Sequence, residues 1–81
     1  MQYQVIKHLK TKKKLIKLCD SLQEAINTIN ANGGRFNHLS YVGGFPVFRD
    51  DHNHLFSIQG LVSNIVCSIN KKELELARFC G

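Results

Sequence analysis

Eighty-one residues, 43% hydrophobic and 21% charged, make one domain that buries ~60–65% of its unfolded surface and leaves no room for a second core. That balance excludes wholesale disorder, and no stretch approaches the ~20 apolar residues that span a bilayer. The formal charge of +5 is local: six of eleven Lys and Arg residues fall between Lys7 and Lys17 with no acid among them, and the rest of the chain sums to −1. A concentrated patch invites an anionic partner, whereas scattered lysines serve solubility.

The first predicted element is a β-hairpin. Tyr3 to Leu9 and Leu15 to Cys19 are short runs rich in strand formers. The connection from Lys10 to Lys14 lacks Gly and Asn, so it fits a loop longer than two residues. Lys7, Lys10, Lys12, Lys13, Lys14 and Lys17 are the candidate contacts for a partner or a nucleic acid. Lysines facing one another across a ladder lie within ~5–8 Å and repel by a few tenths of a kcal/mol per pair, which a bound polyanion relieves. Two bland readings compete: charge runs are usually solvated faces, and Lys on an edge strand blocks unwanted sheet pairing. If four to six of these lysines met phosphates, affinity would fall with salt at a log–log slope of roughly −4 to −5. Only Tyr3 and His8 offer rings for stacking on a single strand.

Ser21-Leu22-Gln23-Glu24 is a capping box, with Leu22, Ala25, Ile26 and Ile29 behind it at helical spacing. Asn32-Gly33-Gly34 supplies a left-handed stop, which predicts a helix from Leu22 to about Asn32. The helix holds no Lys or Arg, which disfavours a helix-turn-helix reader of DNA.

Strand patterning returns from Phe36 to Val42 and from Phe45 to Arg49, interrupted by Gly43-Gly44. Pro46 places the second run at a sheet edge or a strand start. The Gly-Gly pair has neither the spacing nor the following helix of a phosphate loop. Asp50 to Asn53 is a turn by composition, and Leu55 to Ile58 completes a hairpin. Phe45, Phe48 and Phe56 read as core. Asp50, Asp51, His52 and His54 form a second candidate contact loop. They are also potential metal ligands, with His38 and Cys67 as remote donors, but their spacing matches no closed zinc pattern and a polar turn explains them. No metal and no cofactor are expected.

Leu61 to Ile69 carries both a helical stripe and a β-branched run, so its state stays open, while Asn70-Lys71-Lys72-Glu73 opens a second helix from Lys71 to about Phe79. Cys19, Cys67 and Cys80 suggest no disulfide framework, and the N-terminus lacks a secretory core, so a reducing cytoplasm is expected. Cys19 and Cys67 read as small core residues and Cys80 as exposed. No nucleophile is paired with a base and an orienting acid at recognisable spacing, so no enzyme is expected. Residues 1–81 thus predict a single compact α+β domain, a small antiparallel sheet with two helices packed on one face in the order β-β-α-β-β-β-α.

From Gln2 to Gly34, the strand, Lys-rich turn, strand and D-S-L-Q-E-A-I helix start resemble, in size and layout, small accessory proteins of bacteriophages and mobile elements, among them anti-CRISPR and other anti-defence inhibitors. The resemblance implies a non-enzymatic inhibitor that binds a host complex and occludes a functional surface. Many such inhibitors are acidic mimics of nucleic acid. This chain is basic, so its expected partner is an acidic protein or nucleoprotein complex, or DNA or RNA itself, and not a membrane. Docking through the lysine hairpin is the leading expectation; sequence-nonspecific nucleic-acid binding and a metal-dependent enzyme at His52 and His54 are the alternatives.

Overall fold

Apolar alternation in the central strands creates a side of the sheet that must be covered, and two amphipathic helices cover it. A computed structural model describes residues 1–79, and Cys80 lies outside the described residues. The elements are β1 (Gln2–His8), β2 (Lys13–Cys19), α1 (Leu22–Ala31), β3 (Arg35–Val42), β4 (Phe45–Arg49), β5 (Leu55–Val62), β6 (Ile65–Cys67) and α2 (Lys71–Phe79). All pairings are antiparallel. The sheet runs β2-β1-β5-β4-β3, and β6 pairs with the distal half of β5. This is the predicted α+β layer, with the short β6 added between β5 and α2 as a sixth strand.

The core gathers Val5, Cys19, Phe48, Phe56 and Ile58 from the strands, with Leu22, Ala25, Ile26 and Ile29 from α1 and Leu74 from α2. Phe48 and Phe56 face each other across the β4–β5 ladder and are both fully buried. Truncating either to Ala removes ~3–5 kcal/mol of stability. Phe45, by contrast, is only partly buried and lies opposite Val42 on the side away from the helices.

Helix α1 begins as its capping box dictates. The Ser21 hydroxyl accepts from the Glu24 N–H at 3.1 Å, and the Glu24 carboxylate accepts from the Asp20 N–H at 3.1 Å. Gly33, at φ +92°, ends it in the left-handed region.

Two sequence expectations change, and one segment left open resolves. The first hairpin turn is shorter than Lys10 to Lys14: the Leu9 N–H donates to the Lys12 carbonyl at 2.8 Å, and Lys13 and Lys14 belong to β2. An edge strand with one side in water tolerates those charges. Leu61 to Ile69 resolves as a strand, a two-residue turn and a second strand. Ser63 and Asn64 both take positive φ, 50° and 67°, which matches the twist of a tight hairpin. Cys67 is half-buried on the short β6, whereas Cys19 is fully buried. Pro46 occupies the second position of β4, ahead of the β4–β5 ladder that starts at Val47, so no ladder bond to β5 is lost.

A bulge in the first hairpin decides which way its leucines point. Val5 faces Lys17 and Ile6 faces Leu15, which leaves Ile16 as the extra residue. Ile16 packs against the core, while Leu15 and Leu18, opposite Ile6 and Gln4, share the side turned away from the helices. They are 55% and 47% exposed.

The Gly43–Gly44 turn locks the β3–β4 hairpin onto the segment after β6. The Ile69 N–H donates to the Gly44 carbonyl at 3.0 Å, and a Cβ built on Gly44 would lie 2.9 Å from the Ser68 Cβ. Both glycines have positive φ, but a Cβ on Gly43 meets nothing within 4 Å. Gly43→Ala should therefore cost about 1 kcal/mol from backbone strain alone, and Gly44→Ala about 2–3 kcal/mol because a clash is added. Urea denaturation of the two variants checks the difference; equal midpoints would contradict the contact.

Candidate docking surface at the basic end of the sheet

Strand β1 pairs with β5 along its whole length, from Gln2 opposite Leu61 to His8 opposite Leu55. The last residue of β1 therefore meets the first residue of β5. This register sets the β1–β2 turn beside the β4–β5 turn, although some forty residues of chain separate them. Between them lies a cleft of about 450 Å³ lined by His8, Leu9, Lys10, Asn53, His54 and Leu55. Both loops singled out in the sequence thus stand at one end of the molecule.

Register also aligns charges that the sequence keeps apart. His8 faces Lys13 on one side and Leu55 on the other; Leu55 faces Arg49, and Arg49 faces Arg35. Lys13, His8, Leu55, Arg49 and Arg35 make one lateral row across the face without helices. No strand contains Asp or Glu. Arg49 and Arg35 escape a sequence scan because each is a lone base in its own strand. Only the strand order unites them with the lysine hairpin.

The six lysines surround this end instead of lining one plane. Lys10 and Lys12 occupy the turn, and Lys13 belongs to the row just described. Lys7 and Lys14 oppose each other on the helix side, where the Lys7 ammonium stands 5.6 Å from the centroid of the Phe56 ring. Lys17 is held by Glu24 at 2.9 Å, a bond that raises the lysine and lowers the carboxyl in pKa. Lys17 is therefore largely neutralised by the chain itself.

Asp50 organises the second loop from within. Its carboxylate is buried and accepts the backbone N–H groups of His52 and His54, both at 2.8 Å, with His54 Nδ1 at 3.1 Å from the other oxygen. Burial pushes the Asp50 carboxyl up, but the N–H groups of His54 and His52 and the His54 ring outweigh it, so its pKa falls below the ordinary 3.8. Asp51 pairs with Arg35 at 2.8 Å, and Arg49 donates to the Asn53 side chain at 3.1 Å. With both acids engaged, the loop presents His52, Asn53 and His54 to solvent. His52 and His54 lie in the turn and not on a strand; their ring centroids are 6.2 Å apart. His38 is exposed on β3. Among the described residues no group of three or more His, Cys, Asp or Glu side chains could hold a metal ion. Nor does any helix among them have the length and apolarity to cross a membrane.

One nucleophile–base contact was invisible in the sequence. His8 Nε2 and Ser57 Oγ lie 2.7 Å apart across the β1–β5 ladder, 49 positions apart in the chain. Ser57 is buried at 4% exposure, and no carboxylate is hydrogen-bonded to His8 among the described residues. The pair supplies a base and a hydroxyl without the orienting acid of a triad. What it does supply is a fixed ring orientation at the mouth of the cleft. Burial first, and the Lys13 ammonium second, push the His8 pKa below 6.5.

Folding therefore disfavours the charged ring. Stability linked to His8 is present above pH 6.5 and is lost as the pH falls through the lowered folded value. A proton-NMR titration should place His8 below 6.5, and Lys13→Gln should move it back upward; an unchanged value in the variant would contradict the row geometry. Comparisons with protein-family models, curated proteins and solved structures return no match, so the site stands on its own geometry.

Proposed function

We propose that this protein is a non-catalytic binding module whose basic end docks onto an acidic protein or nucleoprotein surface. The observation that carries the reading is the convergence of two sequence-distant loops around one cleft, with a lateral row that bears Lys13 and Arg49 leading away from it. Lys10, Lys12, Lys13 and Lys14 supply the long-range attraction, which speeds encounter and sets its orientation. His52, Asn53 and His54, held by the buried Asp50, supply a shaped neighbouring contact. A small inert domain of this kind acts by occupying a surface. The inhibitory role implied by its resemblance to phage accessory proteins belongs to the same proposal, as does a cytoplasmic setting.

Direct binding of DNA or RNA is the second reading, favoured by the lateral row. Adjacent strands stand ~4.8 Å apart, so Lys13 and Arg49, three strands and ~14 Å apart, can meet two separate phosphates of one backbone. Salt separates the two readings. A gel shift on naked nucleic acid that weakens with a log–log slope of roughly −4 to −5 supports direct binding, whereas capture of a protein complex that survives nuclease treatment supports the first.

Lys12→Glu, Lys13→Glu and Lys14→Glu combined should weaken partner capture on the order of 100-fold, since each reversal costs about 1 kcal/mol at an exposed site. All three side chains are exposed, so the fold should be retained, with the unfolding midpoint unchanged or slightly raised as Lys14→Glu relieves repulsion from Lys7. Undiminished capture by the triple variant refutes the role of the basic end.

A further inference from the structure

The face of the sheet away from the helices is mixed: beside its basic row it carries exposed apolar side chains that no helix covers. On the uncovered face the bulge in β2 sets Leu15 and Leu18 beside Ile6, and the β5–β6 ladder adds Leu61 and Val66. Leu15, Leu18 and Val66 are 55%, 47% and 48% exposed, while Ile6 and Leu61 are half-buried. Without the extra residue at Ile16, Leu15 and Leu18 would point to opposite faces, three positions apart on a strand. Large apolar side chains left exposed together on one face of a small domain mark an interaction site. Between the leucines and the far edge, Gln4 donates to Gln59 at 2.8 Å, which satisfies part of the two amides and leaves their remaining groups for polar atoms of an occupant.

We propose that this face docks an acidic amphipathic helix of a protein partner. An antiparallel sheet commonly leaves one face in water, and that face is then polar; here it carries Leu15, Leu18, Leu61 and Val66, apolar surface that an added helix layer would bury. The charge pattern names the sign. Lys13 and Arg49 flank the apolar rows at the cleft end, and the strands carry no carboxylate. An occupant that lays its apolar stripe on Leu15, Leu18 and Leu61 therefore places its flank against cations. A second copy of the chain fits less well, because a face without acids meets its own cations in a face-to-face pair. The inference rests on the basic-end reading for its acidic specificity and adds an apolar contact that electrostatics alone does not require.

The test uses the full chain and two synthetic amphipathic helical peptides with the same leucine stripe, one with Glu and one with Lys on its polar face. Fluorescence anisotropy should show saturable binding of the Leu/Glu peptide and at least about tenfold weaker binding of the Leu/Lys peptide. The pair Leu15→Ser and Leu18→Ser should weaken the Leu/Glu complex at least about tenfold, as loss of two buried aliphatic contacts requires. Should that variant fold poorly, Leu18→Ser with Val66→Ser serves in its place. Binding abolished by the lysine-turn triple variant but untouched by the leucine pair overturns this inference and leaves the basic-end reading standing. Binding sensitive to the leucines but indifferent to the peptide's charge sinks the acidic specificity. A dimer in sedimentation that the leucine variant disperses also overturns it, because a second copy then covers the face.

Discussion

The antiparallel ladder between β1 and β5 is the constraint on which the rest of the structure depends. It joins the N-terminal hairpin to the C-terminal half of the chain, and seven consecutive residue pairs hold its register. Because side chains alternate with a period of two, a slip of β1 by one residue would send Val5 out of the core and Ile6 into it. Val5 opposite Ile58 at the centre, both fully buried, makes such a slip costly. The same register carries the chemistry. It places His8 over Ser57, aligns the row from Lys13 to Arg35, and closes the cleft between two turns.

Electrostatics at this end follow from how few acids are free to answer the bases. Glu24 takes Lys17 and caps α1, Asp50 turns inward to hold its loop, and Asp51 takes Arg35. Each of these pairs serves local folding, and exposed pairs of this type add little stability beyond it. What remains at the sheet end is uncompensated positive charge on Lys10, Lys12, Lys13 and Lys14, beside imidazoles held in place by Ser57 and Asp50. A partner that brings negative charge relieves that repulsion on binding. The covered face carries stability through Phe48, Phe56 and the helix stripes, so the end and the open face are free to serve recognition.

Local signals in the sequence found local structure. The capping box at Ser21 and the glycine stop at Gly33 set both ends of α1, because their hydrogen bonds span no more than a few residues. The lysine patch and the polar loop at Asp50 were likewise legible as compositions. Long-range register was not. Nothing near Arg49 tells that it stands two strands from His8, and nothing near Ser57 tells that an imidazole lies 2.7 Å away. Leu61 to Ile69 was ambiguous because β-branched residues happened to recur at helical spacing; positive φ at Ser63 and Asn64 resolves it as a hairpin. Lys13 and Lys14 looked like loop because of their charge, yet at the sheet edge a strand keeps them in water. The open apolar face was hidden for a similar reason, since it depends on a bulge that no residue type announces.

The central claim is that two loops far apart in the chain act as one basic surface. Amide chemical shifts recorded while a short heparin oligosaccharide is titrated into the protein test it most directly. The account expects His8, Lys10 and Lys13 to shift together with Asn53 and His54, along one common saturation curve. Shifts confined to residues 10 to 14, with the Asp50 to His54 loop unmoved, would contradict it.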